Sequence, residues 1–384
     1  MNRQLSGAKR MVVKIGSALL ADEAKGAIRT PWLDALAEDI VAFRGQGTEV
    51  ILVSSGAVAV GRGHLGLDKP HLRLEEKQAA AACGQIHLVR AYQEALARQG
   101  LGVGQVLLTL DGIEDRRRYL NARATIETLL RLGAVPVINE NDTIATDEIR
   151  YGDNDQLAAQ VAAMASADTL VLLSTVDGLY TADPGTDPDA KLVRDVPVIT
   201  AEIEAMAGTA PPGYSSGGMV TKLKAAQIAT GAGCRMVIAD GRAAHALRDI
   251  TAAGRCTWFH PRKTPRTQRK HWIAASLKPM GSLTVDDGAA KALGSGKSLL
   301  PAGVTGVDGK FDRGDAVRVI TADGTEIARG LVAYTAADAG RIAGHKSREI
   351  EELLGYRGRD EMIHRDDLVV DGRDHDAEGE LEVP

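Results

Sequence analysis

Along the first two-thirds of the chain, short apolar runs rich in β-branched residues recur. They are MVVKI (11–15), VILVS (50–54), VGQVLLT (103–109), AVPVIN (134–139), TLVLLS (169–174) and MVIA (236–239). Each is nearly continuously apolar rather than alternating, the pattern of strands buried on both faces of a mostly parallel sheet. Helical spacing fills the intervals. The clearest case predicts a helix with Thr30 as N-cap and Pro31 at the first helical position. Its stripe of Leu33, Leu36, Ala37, Ile40 and Val41 ends at Gly45 and Gly47. Two further helices are expected over roughly 75–98 and 115–131. Strands alternating with helices predict a three-layer α/β/α domain.

The pattern changes after Phe259. Residues 261–271, PRKTPRTQRKH, hold two prolines and five Lys or Arg residues and read as a solvated linker. Beyond it, turn signals crowd in at DDG (286–288), VDGK (307–310) and ADGT (322–325), which predicts a small β-rich barrel or sandwich. The expected division is therefore a first domain over 9–260, a basic linker over 261–276 and a β-rich domain over 277–366. An acidic tail over 367–384, almost without aromatics, is expected to be disordered.

Composition narrows the function. The chain has 384 residues, 44% hydrophobic and 25% charged, ordinary for a globular protein long enough to fold without disulfides or structural metal. A net charge of −5 gives no support to general polyanion binding. Cys83, Cys234 and Cys256 are odd in number and far apart, which fits a reducing compartment. Lys9-Arg10 before MVVKIGSALLA imitates a signal peptide, but Lys14 interrupts the apolar run and no cleavage site follows. No stretch reaches the length of a membrane span. A cytoplasmic protein is expected.

Five segments carry candidate chemistry. Lys14, inside a buried strand and followed by Gly16-Ser17, must either snorkel out or meet negative charge, a phosphate in a crevice at the strand's end being one such partner. Ser54-Ser55-Gly56 follows the second strand and is either a plain turn or a place where hydroxyls and backbone approach an anion. In SSGGMVTKLKAA (215–226), two glycines precede a helix with Lys222 one turn in; this is an anion site or an exposed helix lysine. Ser174-Thr175, after the fifth strand, borders a nucleotide or opens a surface loop.

INENDTIATDEIRYGDNDQLAAQ (138–160) is the most informative stretch. Asn139, Glu140, Asn141 and Asp142 crowd the end of an apolar strand. Asp153 and Gln156 fit a capping box, which leaves Asn154 and Asp155 in the first helical turn, facing a ligand or a lysine or answering the helix dipole. Three motifs are decoys. Gly61-Arg62-Gly63-His64-Leu65-Gly66 has dinucleotide-motif spacing but starts too far past its strand, and Gly294-Ser295-Gly296-Lys297-Ser298 lacks the first glycine of a phosphate loop. Asp183, Asp187 and Asp189 lack the distal glutamate of a calcium loop.

Taken in order, VVKIGS, VSSGAVAVGR, YLNAR, PVINENDTIAT, YGDNDQLAA, DGLYTADP and GGMVTKLKAA resemble the bacterial glutamate 5-kinases of the amino acid kinase family, over about 10–260. GSLTVDDGA, SLLPAGV, FDRGDAVRV and RIAGHKSREIEELLGY resemble the PUA-type domain that many of these kinases carry. The resemblance implies an amino-acid-kinase-like α/β/α domain followed by a PUA-like domain. It implies transfer of the ATP γ-phosphoryl group to the side-chain carboxylate of L-glutamate with Mg²⁺, the first step of proline biosynthesis. It also implies a homo-oligomer (dimer or tetramer) and proline as feedback inhibitor. Lys14 and Lys222 match the phosphate-binding lysines and Asp155 the aspartate that organises them. Ser55, Gly56, Asn139, Asp142 and Asn154 fall at the glutamate pocket. Ser174, Thr175 and the run Ser216, Gly217, Gly218, Met219, Val220, Thr221 and Lys222 fall at the nucleotide. The family often has Thr-Asp where this chain has Ser174-Thr175, so nucleotide contacts there depart from the pattern. The alternatives are an acetylglutamate, aspartate or carbamate kinase of the same fold, or an RNA-binding protein acting through its PUA-like domain.

Overall fold

The computed structural model describes residues 5–22, 26–67, 69, 71–109, 112–113, 115–145, 154–208, 218–251, 254–262, 264 and 279–370. It divides into two compact units, 1–265 and 266–384.

The first unit is built on an eight-stranded sheet. In chain order its strands are β1 (Arg10–Ile15), β2 (Glu49–Val53), β3 (Val103–Leu108), β4 (Val135–Glu140), β5 (Thr169–Ser174), β6 (Asp195–Val196), β7 (Arg235–Asp240) and β8 (Cys256–Phe259). Across the sheet they run β6-β8-β7-β5-β1-β2-β4-β3. The pairs from β7 to β3 are parallel; β8 runs antiparallel to β7 and parallel to β6.

The sheet is sandwiched between helices. Met11, Val13 and Ile15 of β1 join a core with Leu33, Leu36 and Ile40 of α2 (Thr30–Gly45), which follows the short α1 (Ser17–Leu20). The same layer holds α3 (Ala57–Leu65) and α4 (Leu74–Ala97). Val12 faces the opposite core, formed by α5 (Arg116–Arg131), α6 (Asn154–Met164) and α7 (Met219–Gly231). Strand alternation separates the two layers. α6 buries almost its whole surface, and its alanines meet Ala225, Ala226 and Ala229 of α7.

α3 and α4 approach backbone to backbone. A Cβ on Gly61 would lie 1.7 Å from the carbonyl oxygen of Ala80, and one on Gly84 would lie 1.9 Å from that of Ala57. Gly61 therefore serves packing, and the discounted dinucleotide motif owes its first glycine to a helix crossing.

Three expectations need correction. Thr30 is already the first residue of α2 and makes no capping bond; its hydroxyl lies 3.5 Å from the Ile28 carbonyl. β3, read as doubly buried, is the sheet's edge, with Gln105 and Leu107 exposed, because no strand follows it on that side. Glu140, one residue past the run 134–139 read as a strand, is the last residue of β4, and every residue of β4 is buried. The capping role of Asp153 lies outside the described residues.

The second unit has a five-stranded sheet of β9 (Gly281–Val285), β10 (Val304–Gly309), β11 (Ala316–Ile320), β12 (Glu326–Leu331) and β13 (Leu368–Val370), in the order β10-β9-β11-β12-β13. A core of Leu283, Val317, Val319, Ile342 and Met362 is its own. β13 lies in the stretch read as tail; Leu368, Val369 and Val370 pair with β12. Apolar side chains at 368–370 outweigh the acidic composition that follows them.

Candidate active site

β1, β2, β4 and β5 bring their carboxyl ends to one edge of the sheet. The chain leaves β1 toward β2 and β4, then crosses back to β5 on the other side of β1. Reversal of strand order opens a crevice there. A cleft of about 510 Å³ occupies it, with Lys14, Ser55, Gly56, Asn139, Asp142, Asn154, Ser174, Thr175 and Lys222 all on its walls.

At its floor stands a buried triad. Lys14 shares the Val12 side of β1, toward α6 and α7. Its Nζ lies 2.5 Å from Oδ1 of Asp155, and Nζ of Lys222 lies 2.9 Å from Oδ2 of the same carboxylate. Asp155 is 1% exposed, Lys222 3% and Lys14 7%. Burial alone would push the Asp155 carboxyl up, but two ammonium groups in contact with it hold it below its ordinary range. One carboxylate thus fixes two ammonium groups at the cleft floor and leaves a net positive charge facing a ligand.

A polar lattice holds the adjoining wall. Asn154 donates through Nδ2 to the Ser54 carbonyl at 2.5 Å and to Oδ1 of Asn139 at 2.8 Å. Asn139 donates to Oε1 of Gln85 at 2.6 Å, and the Tyr92 hydroxyl donates to Ser54 Oγ at 3.2 Å. α4 therefore ties the ends of β2 and β4 and the start of α6 into one wall. Gly56 enters α3 with φ +94°, and no side chain caps that helix start.

Asp142, half-buried past β4, contrasts with Asp155. Burial pushes its carboxyl up to about 6, against only the lowering effect of its own backbone N–H. No ion pair to it is present among the described residues.

Comparison with known proteins identifies the family. Residues 9–240 match the model of the amino acid kinase family. The chain belongs to the amino acid kinase family. Residues 281–354 match the PUA domain model. Glutamate 5-kinase of Paramagnetospirillum magneticum is 62% identical over 368 residues, 96% of this chain and 99% of that one. Glutamate 5-kinase of Rhodospirillum rubrum is 59% identical over 372 residues, again 96% and 99%. Glutamate 5-kinase of Agrobacterium fabrum is 58% identical, over 96% of this chain and 95% of that one.

In this amino acid kinase, the remaining expected nucleotide residues are placed in part. Gly218 is the N-cap of α7, and Met219, Val220 and Thr221 form its first turn; Thr221 Oγ1 donates to the Gly218 carbonyl at 2.7 Å. Ser216 and Gly217 lie outside the described residues. Sequence reasoning missed two cleft cations, Arg62 on α3 and Lys77 on α4. On a helix each reads as part of a solvated face, and only the fold of α3 against α4 turns them inward.

Proposed function

We propose that the cleft transfers the γ-phosphoryl group of ATP to the side-chain carboxylate of L-glutamate, forming L-glutamyl 5-phosphate and ADP. The observation that carries this reading is the Lys14–Asp155–Lys222 triad at the floor of a cleft whose wall also bears Asp142, to which no ion pair is present among the described residues. The relatives' names supply the substrate.

A carboxylate and ATP repel each other, so the site must neutralise charge and align the attacking oxygen with the γ-phosphorus. Phosphoryl transfer asks little covalent chemistry of a protein; positioning and electrostatics do most of it. One side-chain oxygen forms the new O–P bond as the bond to the β,γ-bridging oxygen breaks and ADP departs with that electron pair. The nucleophile is already ionised, so no general base is required. Lys14 and Lys222 stabilise the charge on the transferring group, and Asp155 keeps both ammonium groups aimed. Asp142, with Asn154, Asn139, Ser55 and Gly56, receives the amino-acid end. Ser174, Thr175 and the α7 start, Ser216 to Lys222, serve the nucleotide. Among the described residues no cluster of three or more His, Cys, Asp or Glu side chains could hold a metal ion. Mg²⁺ bound with ATP would supply further positive charge to the phosphates.

The same reading extends to a first domain of 9–260, a linker to 276 and a PUA-like domain beginning near 277. It includes a homo-oligomer, dimer or tetramer, and inhibition by proline, the end product of a pathway that starts at this step. Cys83, Cys234 and Cys256 form no disulfide among the described residues, which supports the cytoplasm; no described helix is long and apolar enough to cross a membrane. RNA binding through the second unit is the weaker reading. The basic linker segment, Arg262, Lys263, Arg266, Arg269 and Lys270, lies outside the described residues except for Arg262.

Acyl-phosphate trapping with hydroxylamine tests the function, using ATP–Mg²⁺ with glutamate, aspartate and N-acetylglutamate. Hydroxamate from glutamate alone is expected. Signal from another member of the panel keeps the phosphate site and overturns the substrate. Silence with all three moves attention to RNA, whose binding should then weaken steeply with salt.

A further inference from the structure

The cleft wall carries four cations, Lys14, Arg62, Lys77 and Lys222. Two of them are occupied by Asp155. Arg62 is occupied in part: it donates to the carbonyls of Leu67 at 3.3 Å and Lys69 at 2.7 Å, which pins the turn after α3. Lys77 differs from all three. It is half-buried in the first turn of α4, and its Nζ makes no hydrogen bond or ion pair among the described residues. Its neighbour Glu76 is committed elsewhere, accepting from the Arg73 N–H at 2.9 Å and from Lys69 Nζ at 3.2 Å.

As a purely structural residue Lys77 is badly placed. A cation in the first turn of a helix opposes the helix dipole. Half-burying an ammonium group without a partner adds a desolvation cost. Both penalties vanish when an anion sits in the cleft beside it.

The amino-acid substrate supplies that anion. Glutamate brings three charged groups. Its side-chain carboxylate faces the transferring group between Lys14 and Lys222, and its ammonium group goes to Asp142; the polar groups of Ser55, Asn139 and Asn154 are neutral, which leaves the α-carboxylate without a cationic partner. We propose that Lys77, with Arg62 beside it, binds the α-carboxylate and so selects a free amino acid over one lacking that group. The inference rests on the glutamate reading and deepens it. Lys77 takes no part in bond making; it is a specificity residue.

The test compares the wild-type chain with Lys77→Gln and Lys77→Arg in the hydroxamate assay. 4-Aminobutanoate, which is glutamate without its α-carboxylate, serves as a competitive inhibitor. Loss of a hydrogen bond to a charged group corresponds to a change of about 10–100-fold, so KM for glutamate should rise by that factor in Lys77→Gln. KM for ATP and Ki for 4-aminobutanoate should stay where they were, and Lys77→Arg should recover part of the loss. Three results overturn the inference: an unchanged KM for glutamate, an equal loss for glutamate and 4-aminobutanoate, or a rise in KM for ATP. The last would make Lys77 a phosphate ligand. Far-UV circular dichroism identifies a variant that has failed to fold, in which case Lys77→Arg decides: no preference for glutamate over 4-aminobutanoate in that folded variant counts against the assignment. Wild-type protein that makes no hydroxamate from glutamate sinks the glutamate reading itself, and an active wild type whose Lys77→Gln variant is indifferent sinks this inference alone.

Discussion

The floor and the mouth of the cleft each hold a carboxylate from the same stretch of chain, and the two behave in opposite ways. Asp155 is more deeply buried than Asp142, yet its carboxyl is held below the ordinary range while that of Asp142 is pushed up to about 6. Burial acts in the same direction on both. The difference is two lysines: one from a strand 141 positions earlier (155 − 14) and one from a helix 67 positions later (222 − 155). Partners, not depth, decide what a buried acid does. The floor is a finished ion cluster, whereas the mouth carboxylate has no ion-pair partner among the described residues.

Breaking the floor should have the largest effect. Asp155→Asn leaves two buried ammonium groups facing each other, and loss of one member of a buried ion cluster costs about 3–5 kcal/mol. Urea unfolding should show that loss; a midpoint close to wild type would mean the lysines do not depend on Asp155. Lys222→Ala comes next. Loss of a preorganised charge on the transferring group costs about 10²–10³ in kcat. Near-full turnover in the folded variant would remove Lys222 from the chemistry.

At the mouth the expected effect is smaller and depends on pH. An ammonium ligand needs Asp142 ionised, so KM for glutamate should rise as pH falls through about 6, by up to about tenfold per unit. Asp142→Asn should flatten that rise and leave KM for ATP alone. Stability runs the other way. The folded chain holds the extra proton between the ordinary value of 3.8 and about 6, so the stability this group contributes is lost as pH rises through that window. A pH profile of KM identical in wild type and Asp142→Asn would separate the shifted acid from substrate binding. The mildest change is Gly61→Ala, where a methyl group meets the Ala80 carbonyl. Overpacking of this kind costs about 1–3 kcal/mol, readable as a lowered melting temperature. An unchanged melting point would show that α3 and α4 can part without cost.

Much of this arrangement is legible in the sequence. Lys14 stood out because a charge inside a buried strand demands a partner, and Asn154-Asp155 because polar groups in a first helical turn exceeded what capping needs. The family's motifs then placed Lys222 and Asp142 in the same site. Other features were hidden for physical reasons. β3 looks like its neighbours in sequence, since being an edge is a property of the whole sheet. Lys77 sits at a position that a helical pattern assigns to solvent. Gly61 imitates a nucleotide motif because the same lack of a side chain serves a loop around phosphate and a crossing of two helices.

The sequence by itself determined the layered α/β architecture, the presence of a second β-rich unit and the residue types of the cleft, because periodicity, charge and turn chemistry act locally. Only the tertiary structure decided which groups meet. The order β5-β1-β2-β4 brings four strand ends together, the packing of α6 against α7 aligns Asp155 with Lys222, and the contact of α3 with α4 turns Lys77 inward. Protonation state and ligand preference depend on distances between groups far apart in the chain, and those distances exist only once the chain has folded.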